Sequence, residues 1–155
     1  MNYFRIGDVM NFKELASRYQ IAMSAIYRKI NQIMKEKVHE GITTDQFSTL
    51  QYVVQNQPCT STEIANAFGI GKSAVTNQVN RLYKKGLIKR IRDEKDRRNI
   101  YLKVTAKGKK LVNFTEIELI RAFTPLLSQF EDDEISRFIH SLERLARLMD
   151  ETEYQ

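Results

Sequence analysis

Residues 60–82 read TSTEIANAFGIGKSAVTNQVNRL, and this stretch decides the fold. Thr60 followed by Glu63 forms a capping box, which predicts the start of a short helix. Gly69 then tolerates the positive φ that ends many helices. A second helix is predicted over about 72–85. Two short helices joined by a tight, glycine-containing turn form a helix-turn-helix.

The second helix of this motif is predicted to have two different faces. At i, i+4 and i+7 spacing, its buried stripe consists of Val75, Val79 and Leu82. The opposite face presents hydroxyl and amide side chains, namely Ser73, Thr76, Asn77 and Asn80. Cations stand at its margins, namely Lys72, Arg81 and Lys84. No acidic residue occurs over 72–87.

Such a face suits the major groove of DNA. An asparagine can pair bidentately with adenine, hydroxyls serve base edges or phosphates, and lysine or arginine neutralises phosphate. A surface helix of an ordinary α bundle is the alternative, and it would carry mixed Glu and Lys pairs. We interpret the four polar residues as base contacts and the three cations as phosphate contacts.

A β-hairpin is predicted directly after this helix. Its strands cover 87–92, which alternates poorly, and 99–105, which alternates well. In this position the hairpin completes a winged helix-turn-helix. We predict that its charged tip enters the minor groove, with the acid pairing an arginine to hold the tip in shape, although a solvated turn is the alternative. The tip consists of Lys95, Asp96, Arg97 and Arg98.

Amphipathic helices flank this central region. The first covers 12–38 and would be roughly 40 Å long, longer than a small domain is wide, so its apolar stripe needs a second surface such as another subunit. Two more helices follow Thr105, the first ending near Pro125 and the second beginning around 131–134. The sequence thus predicts a mainly α fold with a small β-hairpin wing. We divide it into an N-terminal dimerisation helix (1–40), a winged DNA-binding domain (41–105) and C-terminal dimerisation helices (106–155).

Composition and charge narrow the class of protein. With 155 residues, 42% hydrophobic and 28% charged, the chain is expected to be a soluble globular protein. No apolar run approaches a membrane span and no secretory signal is visible, so a cytoplasmic protein is expected. The net charge of +6 divides into +1 over 1–68, +11 over 69–110 and −6 over 111–155. The basic segment indicates a face for a polyanion or, alternatively, a solvated lysine-rich surface.

Other chemistry has little support in the sequence. Cys59 is the single cysteine, and His39 and His140 are far apart, so no metal or zinc site is expected. No glycine-rich phosphate loop or Ser-His-Asp set occurs, and carboxylates cluster at predicted helix starts. We therefore expect no enzymatic activity and no cofactor, and we interpret Cys59 as an incidental thiol.

Several motifs resemble, in order and spacing, the multiple-antibiotic-resistance regulator (MarR) family of bacterial winged-helix transcription factors. They are TTDQF at 43–47, TEIA at 62–65, GIGKSAVT at 69–76, KGLI at 85–88 and DEKDRR at 93–98, followed by LKVT at 102–105. The resemblance covers nearly the whole chain. One departure is Gln78, where family members usually carry an apolar residue. It either faces outward as an extra base contact or loosens the packing of the helix.

The resemblance implies a homodimer whose two winged domains read a palindromic operator, with half-sites about one helical turn apart, roughly 34–36 Å. We also interpret Ser61 and Thr62 as phosphate contacts. The resemblance also implies a repressor released by a small phenolic or lipophilic effector, for which candidate pocket residues are Tyr19, Met23, Tyr27 and Tyr52. The alternative is that these four residues belong to the core, which is the more common role of a Met and Tyr stripe at helical spacing. The cysteine of oxidant-sensing members has no counterpart near the first helix.

Two other functions remain as alternatives. A winged-helix protein-interaction module would bind without regard to DNA sequence. A nucleoid-type or RNA-binding protein would bind any duplex tightly, with a steep dependence on salt. The polar, non-basic centre of the second helix argues against both.

Overall fold

The structure is a computed structural model, and it describes residues 11–38, 41–94, 96 and 99–151. Six helices and two strands follow in chain order. They are α1 (Phe12–Lys37), α2 (Thr44–Asn56), α3 (Ser61–Phe68), α4 (Lys72–Lys84), β1 (Ile88–Arg92), β2 (Ile100–Val104), α5 (Ala106–Leu127) and α6 (Asp132–Glu151). This order confirms the predicted mainly α fold with one hairpin. The described residues form two compact units, a first one up to Glu116 and a second one from Ile117 onward.

The helix starts follow from local hydrogen bonds. Thr43 caps α2 and Thr60 caps α3, and in both cases the residue three positions later bonds back to the cap, so the predicted capping box of α3 is present and α2 has one as well. Thr105 accepts a bond from the N–H of Gly108 at 3.0 Å, as a cap of α5. These bonds satisfy backbone donors that the first turn of a helix leaves without partners.

Helix α5 ends near Pro125, as the sequence predicted. It runs to Leu127 and contains Pro125, which was expected near its end. A proline removes one backbone donor, but it does not stop later residues from bonding. The N–H of Ser128 still reaches the carbonyl of Thr124 at 3.0 Å, which completes the final turn.

The core of the first unit lies beneath the helix-turn-helix. The largest of its fully buried side chains come from α2, α3, α4 and the hairpin region, namely Leu50, Ile64, Leu82, Leu87, Ile88 and Leu102, and smaller ones include Thr115 of α5 and Cys59 in the loop before α3. Strands β1 and β2 are antiparallel, with Ile88 opposite Val104 and Arg92 opposite Ile100. Helix α4 and the hairpin therefore share one core, which holds them in place relative to α2 and α3.

Many apolar side chains of α1 and of the second unit are exposed in the single chain. On α1, Phe12 is 62% and Ile21 is 66% exposed. In the second unit no residue of α6 is buried, and Ile120 and Phe138 are 63% and 53% exposed. Exposed apolar area of this extent is typical of an interaction surface.

Candidate nucleic-acid interface

The turn between α3 and α4 is fixed by backbone geometry and a close helix crossing. Gly69 has φ of +60° and ends α3, as predicted. The N–H of Ile70 donates to the carbonyl of Ala65 at 3.2 Å. Ala65 itself is buried, and its small side chain lets α3 and α4 approach. The turn thus places the start of α4 at the surface.

The capping carboxylate of α3 is also shifted electrostatically. Glu63 accepts bonds from the N–H and the hydroxyl of Thr60 at 2.6 and 2.8 Å. The backbone bond, and then the hydroxyl bond, lower the pKa of Glu63 below its ordinary value of 4.5. Ser61 is half-buried and Thr62 is exposed in the same first turn, where backbone N–H groups favour an anion.

Helix α4 has the two faces that the sequence predicts. Val75, Val79 and Leu82 are buried, with at most 1% exposure. The remaining side chains of the predicted interface are exposed, except for Asn80, which is half-buried. The exposed ones are Lys72, Ser73, Thr76, Asn77, Arg81 and Lys84. The helix therefore presents hydroxyl, amide and cationic groups to solvent along one side.

The four predicted base contacts differ in how their polar atoms are engaged. Ser73 and Asn77 make no side-chain hydrogen bond within the described part of the chain. The hydroxyl of Thr76 donates to the carbonyl of Lys72 at 2.8 Å, so its oxygen remains an acceptor. Asn80 differs most, because its Oδ1 accepts a bond from Nη2 of Arg90 on β1.

Gln78 faces inward, which decides between the two predicted orientations. Its Oε1 accepts a hydrogen bond from the hydroxyl of Thr49 on α2, and its side chain is half-buried. Gln78 is thus part of the contact between α2 and α4 rather than an outward base contact.

The hairpin is anchored by the loop that precedes α3. The N–H of Cys59 donates to the carbonyl of Leu102 at 3.3 Å, and the N–H of Leu102 donates back at 2.7 Å. The side-chain oxygen of Gln57 also accepts from the N–H of Val104 at 3.0 Å. No local sequence pattern predicts this pairing, since residues 57 and 104 are 47 positions apart.

The predicted minor-groove tip is only partly described. Lys95, Arg97 and Arg98 lie outside the described residues. The N–H of Asp96 donates to the Asp93 carboxylate at 3.1 Å, and the Asp96 carbonyl accepts from the N–H of Asn99 at 2.9 Å. These bonds close the turn; the predicted pairing of Asp96 with an arginine remains a prediction.

Sequence reasoning missed three exposed cations on β1, namely Lys89, Arg90 and Arg92. The poor alternation of apolar and polar residues in the first strand could have pointed to them. These three cations continue onto the hairpin the series of basic side chains that begins on α4. Both elements belong to the segment 69–110, whose net charge is +11.

The candidate effector residues are not gathered around one of the cavities that we identify. Tyr19, Met23 and Tyr27 are exposed on α1, and the Tyr27 hydroxyl donates to the Asp45 carboxylate at 3.3 Å. Tyr52 packs edge-on against Phe68, with ring centroids 5.6 Å apart. Cavities lie at the α1–α2 connection, at the α5–α6 turn and beside α4, and none of the four residues lines them.

Cys59 is buried, and its backbone pairs with Leu102 at the edge of the hairpin. Burial, with a smaller contribution from the Glu63 charge, raises the pKa of its thiol from 9.0 to about 11. At neutral pH the group is therefore a thiol, which is a poor nucleophile. The described residues contain no cluster of three His, Cys, Asp or Glu that could hold a metal, and none of their helices is long and apolar enough to span a membrane.

A family model, a sequence relative and solved structures all relate this chain to MarR-type regulators or to their fold. Residues 42–100 match the model of the MarR family. The chain is 30% identical over 145 residues to the HTH-type transcriptional repressor MdtR of Bacillus subtilis, covering 92% of each chain. It resembles a MarR family protein of Bacillus stearothermophilus with a TM-score of 0.76 and 25% identity, covering 92% of this chain and 99% of that one. Streptococcus pneumoniae FabT, crystallised in complex with DNA, shares the fold with a TM-score of 0.78 and 17% identity, over 92% of this chain and 100% of that one.

Proposed function

The chain belongs to the MarR family and is a DNA-binding transcriptional regulator, and from this premise we propose that it is a homodimeric repressor that reads a palindromic operator. The observation that carries the proposal is the two-faced helix α4, whose buried stripe fixes a row of exposed hydroxyl, amide and cationic side chains. A helix of this composition fits the major groove, where such groups discriminate bases and neutralise phosphate.

Each group then has a stated role. Ser73, Thr76 and Asn77 contact base edges. Phosphates are contacted by Ser61, Thr62, Lys72, Arg81 and Lys84. The hairpin tip, which includes Lys95, Asp96, Arg97 and Arg98, lies in the adjacent minor groove, where a narrow groove attracts arginine.

A dimer accounts for the exposed apolar residues. Phe12 and Ile21 on α1, and Ile120 and Phe138 in the second unit, are more than half exposed in the single chain. Burying such side chains stabilises an assembly by roughly 25 cal/mol for each Å² of apolar area removed from water. Two copies would bring two α4 helices to half-sites about one turn apart, roughly 34–36 Å.

The proposal of repression rests on a similar protein, and the proposal of an effector rests on membership of the MarR family. The relative MdtR is named a repressor, which favours repression here. Target genes for transport or detoxification, a phenolic or lipophilic effector, and a cytoplasmic location complete the proposal. The effector would bind near Tyr19, Met23, Tyr27 or Tyr52.

The test is selection of duplexes from a random pool by the purified protein at a salt concentration of about 150 mM, where unspecific binding is weakened. A palindromic consensus with half-sites one turn apart would support the proposal. Tight binding without a consensus would favour a nucleoid-type protein instead. No binding, with or without phenolic compounds, would favour a protein-interaction module.

A further inference from the structure

Arg90 occupies a position of the hairpin where the strand pattern calls for an apolar side chain. It lies directly opposite Leu102, and directly opposite residues of an antiparallel pair point to the same face. On that face Leu102 and Ile88 are buried, with 1% and 2% exposure. The arginine therefore interrupts the apolar inner face of the hairpin, which explains the poor alternation of β1.

Helix α4 holds the guanidinium of Arg90 from two sides. Nη2 donates to Oδ1 of Asn80, and the guanidinium carbon lies 4.8 Å from the centre of the Tyr83 ring. Asn80 and Tyr83 are three residues apart and so lie on the same side of α4. A hydrogen bond from a charged donor and a cation–π contact both favour this one arrangement.

Beyond Arg90 the inner face of the hairpin loses its packing. The next pair on that face is Arg92 opposite Ile100, and both side chains are exposed. The contact of Arg90 with Asn80 and Tyr83 is therefore the outermost tie to α4 that this face makes in the described residues. Together with the backbone pairing of Leu102 with Cys59, this contact holds the hairpin at the last level where it is anchored to the rest of the described chain.

We propose that Asn80 is a positioning residue, which fixes the hairpin on α4 through Arg90 and does not read a base. This inference rests on the proposed function, because the hairpin angle decides which minor-groove step the tip reaches while α4 occupies the major groove. Asn80 thus sets the spacing between the two contacts rather than the preference for one base.

The DNA test compares Asn80→Ala, Asn80→Asp and the matched control Asn77→Ala, which lies on the same helix without a partner in the described chain. We expect Asn80→Ala to retain the selected major-groove bases, to lose hydroxyl-radical protection in the flanking minor groove, and to bind several-fold more weakly. Asn80→Asp restores protection, because its carboxylate still accepts from Arg90. Asn77→Ala relaxes base preference with the minor-groove footprint unchanged. Relaxed preference at one base pair in Asn80→Ala, without rescue by Asn80→Asp, would overturn the proposal.

A DNA-free measurement separates this inference from the proposed function. In a double-mutant cycle, Asn80→Ala and Arg90→Ala should be non-additive in urea unfolding, since each removes the same contact. They should also be non-additive in the hydrogen exchange of the β1 and β2 amides. If the two substitutions have additive effects, Asn80 and Arg90 do not act together and the inference is refuted, whether or not the protein selects an operator. Non-additive effects with no operator selected would refute the proposed function and leave the tie intact.

Discussion

The hydroxyl of Thr49 on α2 donates a hydrogen bond to the side-chain oxygen of Gln78 on α4. Thr49 is fully buried and Gln78 is half-buried, so the bond lies at the rear of the helix that carries the candidate base contacts. The hydroxyl is also 3.0 Å from the carbonyl of Asp45, within its own helix. A side-chain hydrogen bond between α2 and α4 therefore replaces part of the apolar packing that the MarR family usually has at position 78.

Thr49→Val tests this bond. Valine keeps the branched shape but removes the hydroxyl, and we expect a loss of about 1 kcal/mol in the free energy of unfolding, as for a typical intramolecular hydrogen bond. Urea unfolding at one fixed protein concentration measures it, because dissociation of a dimer would otherwise shift the midpoint. Thr76→Val is the control, since that hydroxyl is exposed and bonds only its own helix. Equal losses in the two variants would contradict a specific role for the Thr49–Gln78 bond.

Asn77→Ala should lower affinity for the selected operator by about 1–3 kcal/mol and relax the preference at one base pair in each half-site. Asn77 is exposed on α4 and its side chain makes no hydrogen bond within the described residues, so the free protein should not be destabilised. Titration against the operator and its single-base variants provides the measurement. Uniform weakening on all duplexes would mean that Asn77 contacts the backbone.

Lys84→Ala should weaken DNA binding without changing base preference, in contrast to Asn77→Ala. Lys84 is exposed in the last turn of α4, and a phosphate contact carries no sequence information. Binding to all duplexes should weaken alike, and the slope of log affinity against log salt should fall by about 1. Fluorescence anisotropy at several salt concentrations measures this slope. A change in base preference would show that the wrong face of α4 has been assigned to DNA.

Gly108→Ala should destabilise the protein through a steric clash. A Cβ at this position would lie 2.1 Å from the carbonyl oxygen of Leu87 and 2.9 Å from a methyl carbon of Val104. Because the first obstacle is buried backbone, β1 or α5 must move, and we expect a cost of about 3 kcal/mol. Gly71→Ala is the control, since its nearest contact would be 3.9 Å away at the Ser73 hydroxyl. Urea unfolding compares the two, and similar losses would show that the clash is relieved without cost.

The parts of the fold that the sequence predicted are those determined by neighbouring residues. Thr60 and Glu63 lie within one turn, so their capping box can be identified without tertiary information. The buried stripe of Val75, Val79 and Leu82 follows from helical periodicity alone. The helix-turn-helix and the exposed face of α4 were predictable for this reason.

The parts that it did not predict depend on contacts between distant residues. Gln78 bonds Thr49, which is 29 positions earlier, and Asn80 bonds Arg90 on another element. A polar residue on a helix can face a base, water or a partner helix with the same periodicity, so the pattern cannot choose among them. The exposure of Phe12 and Phe138 in the single chain, by contrast, is what the sequence led us to expect, because the apolar stripes of the first and last helices need a second surface.

The two capping boxes give a prediction for the dependence of stability on pH. The folded-state pKa of Glu63 is lowered below 4.5, so its carboxylate stabilises the fold above that pH, and this stabilisation is lost as the pH falls through the lowered value. In α2 the corresponding residue is Gln46, which bonds the Thr43 N–H at 3.4 Å and has no charge to lose. We expect the stability difference between wild type and Glu63→Gln to be present at pH 7 and to vanish below the folded pKa. The loss in Gln46→Ala should be the same at both ends of this range. Urea unfolding from pH 7 to pH 3 measures both, and a Glu63→Gln difference that stays constant to pH 3 would contradict the lowered pKa.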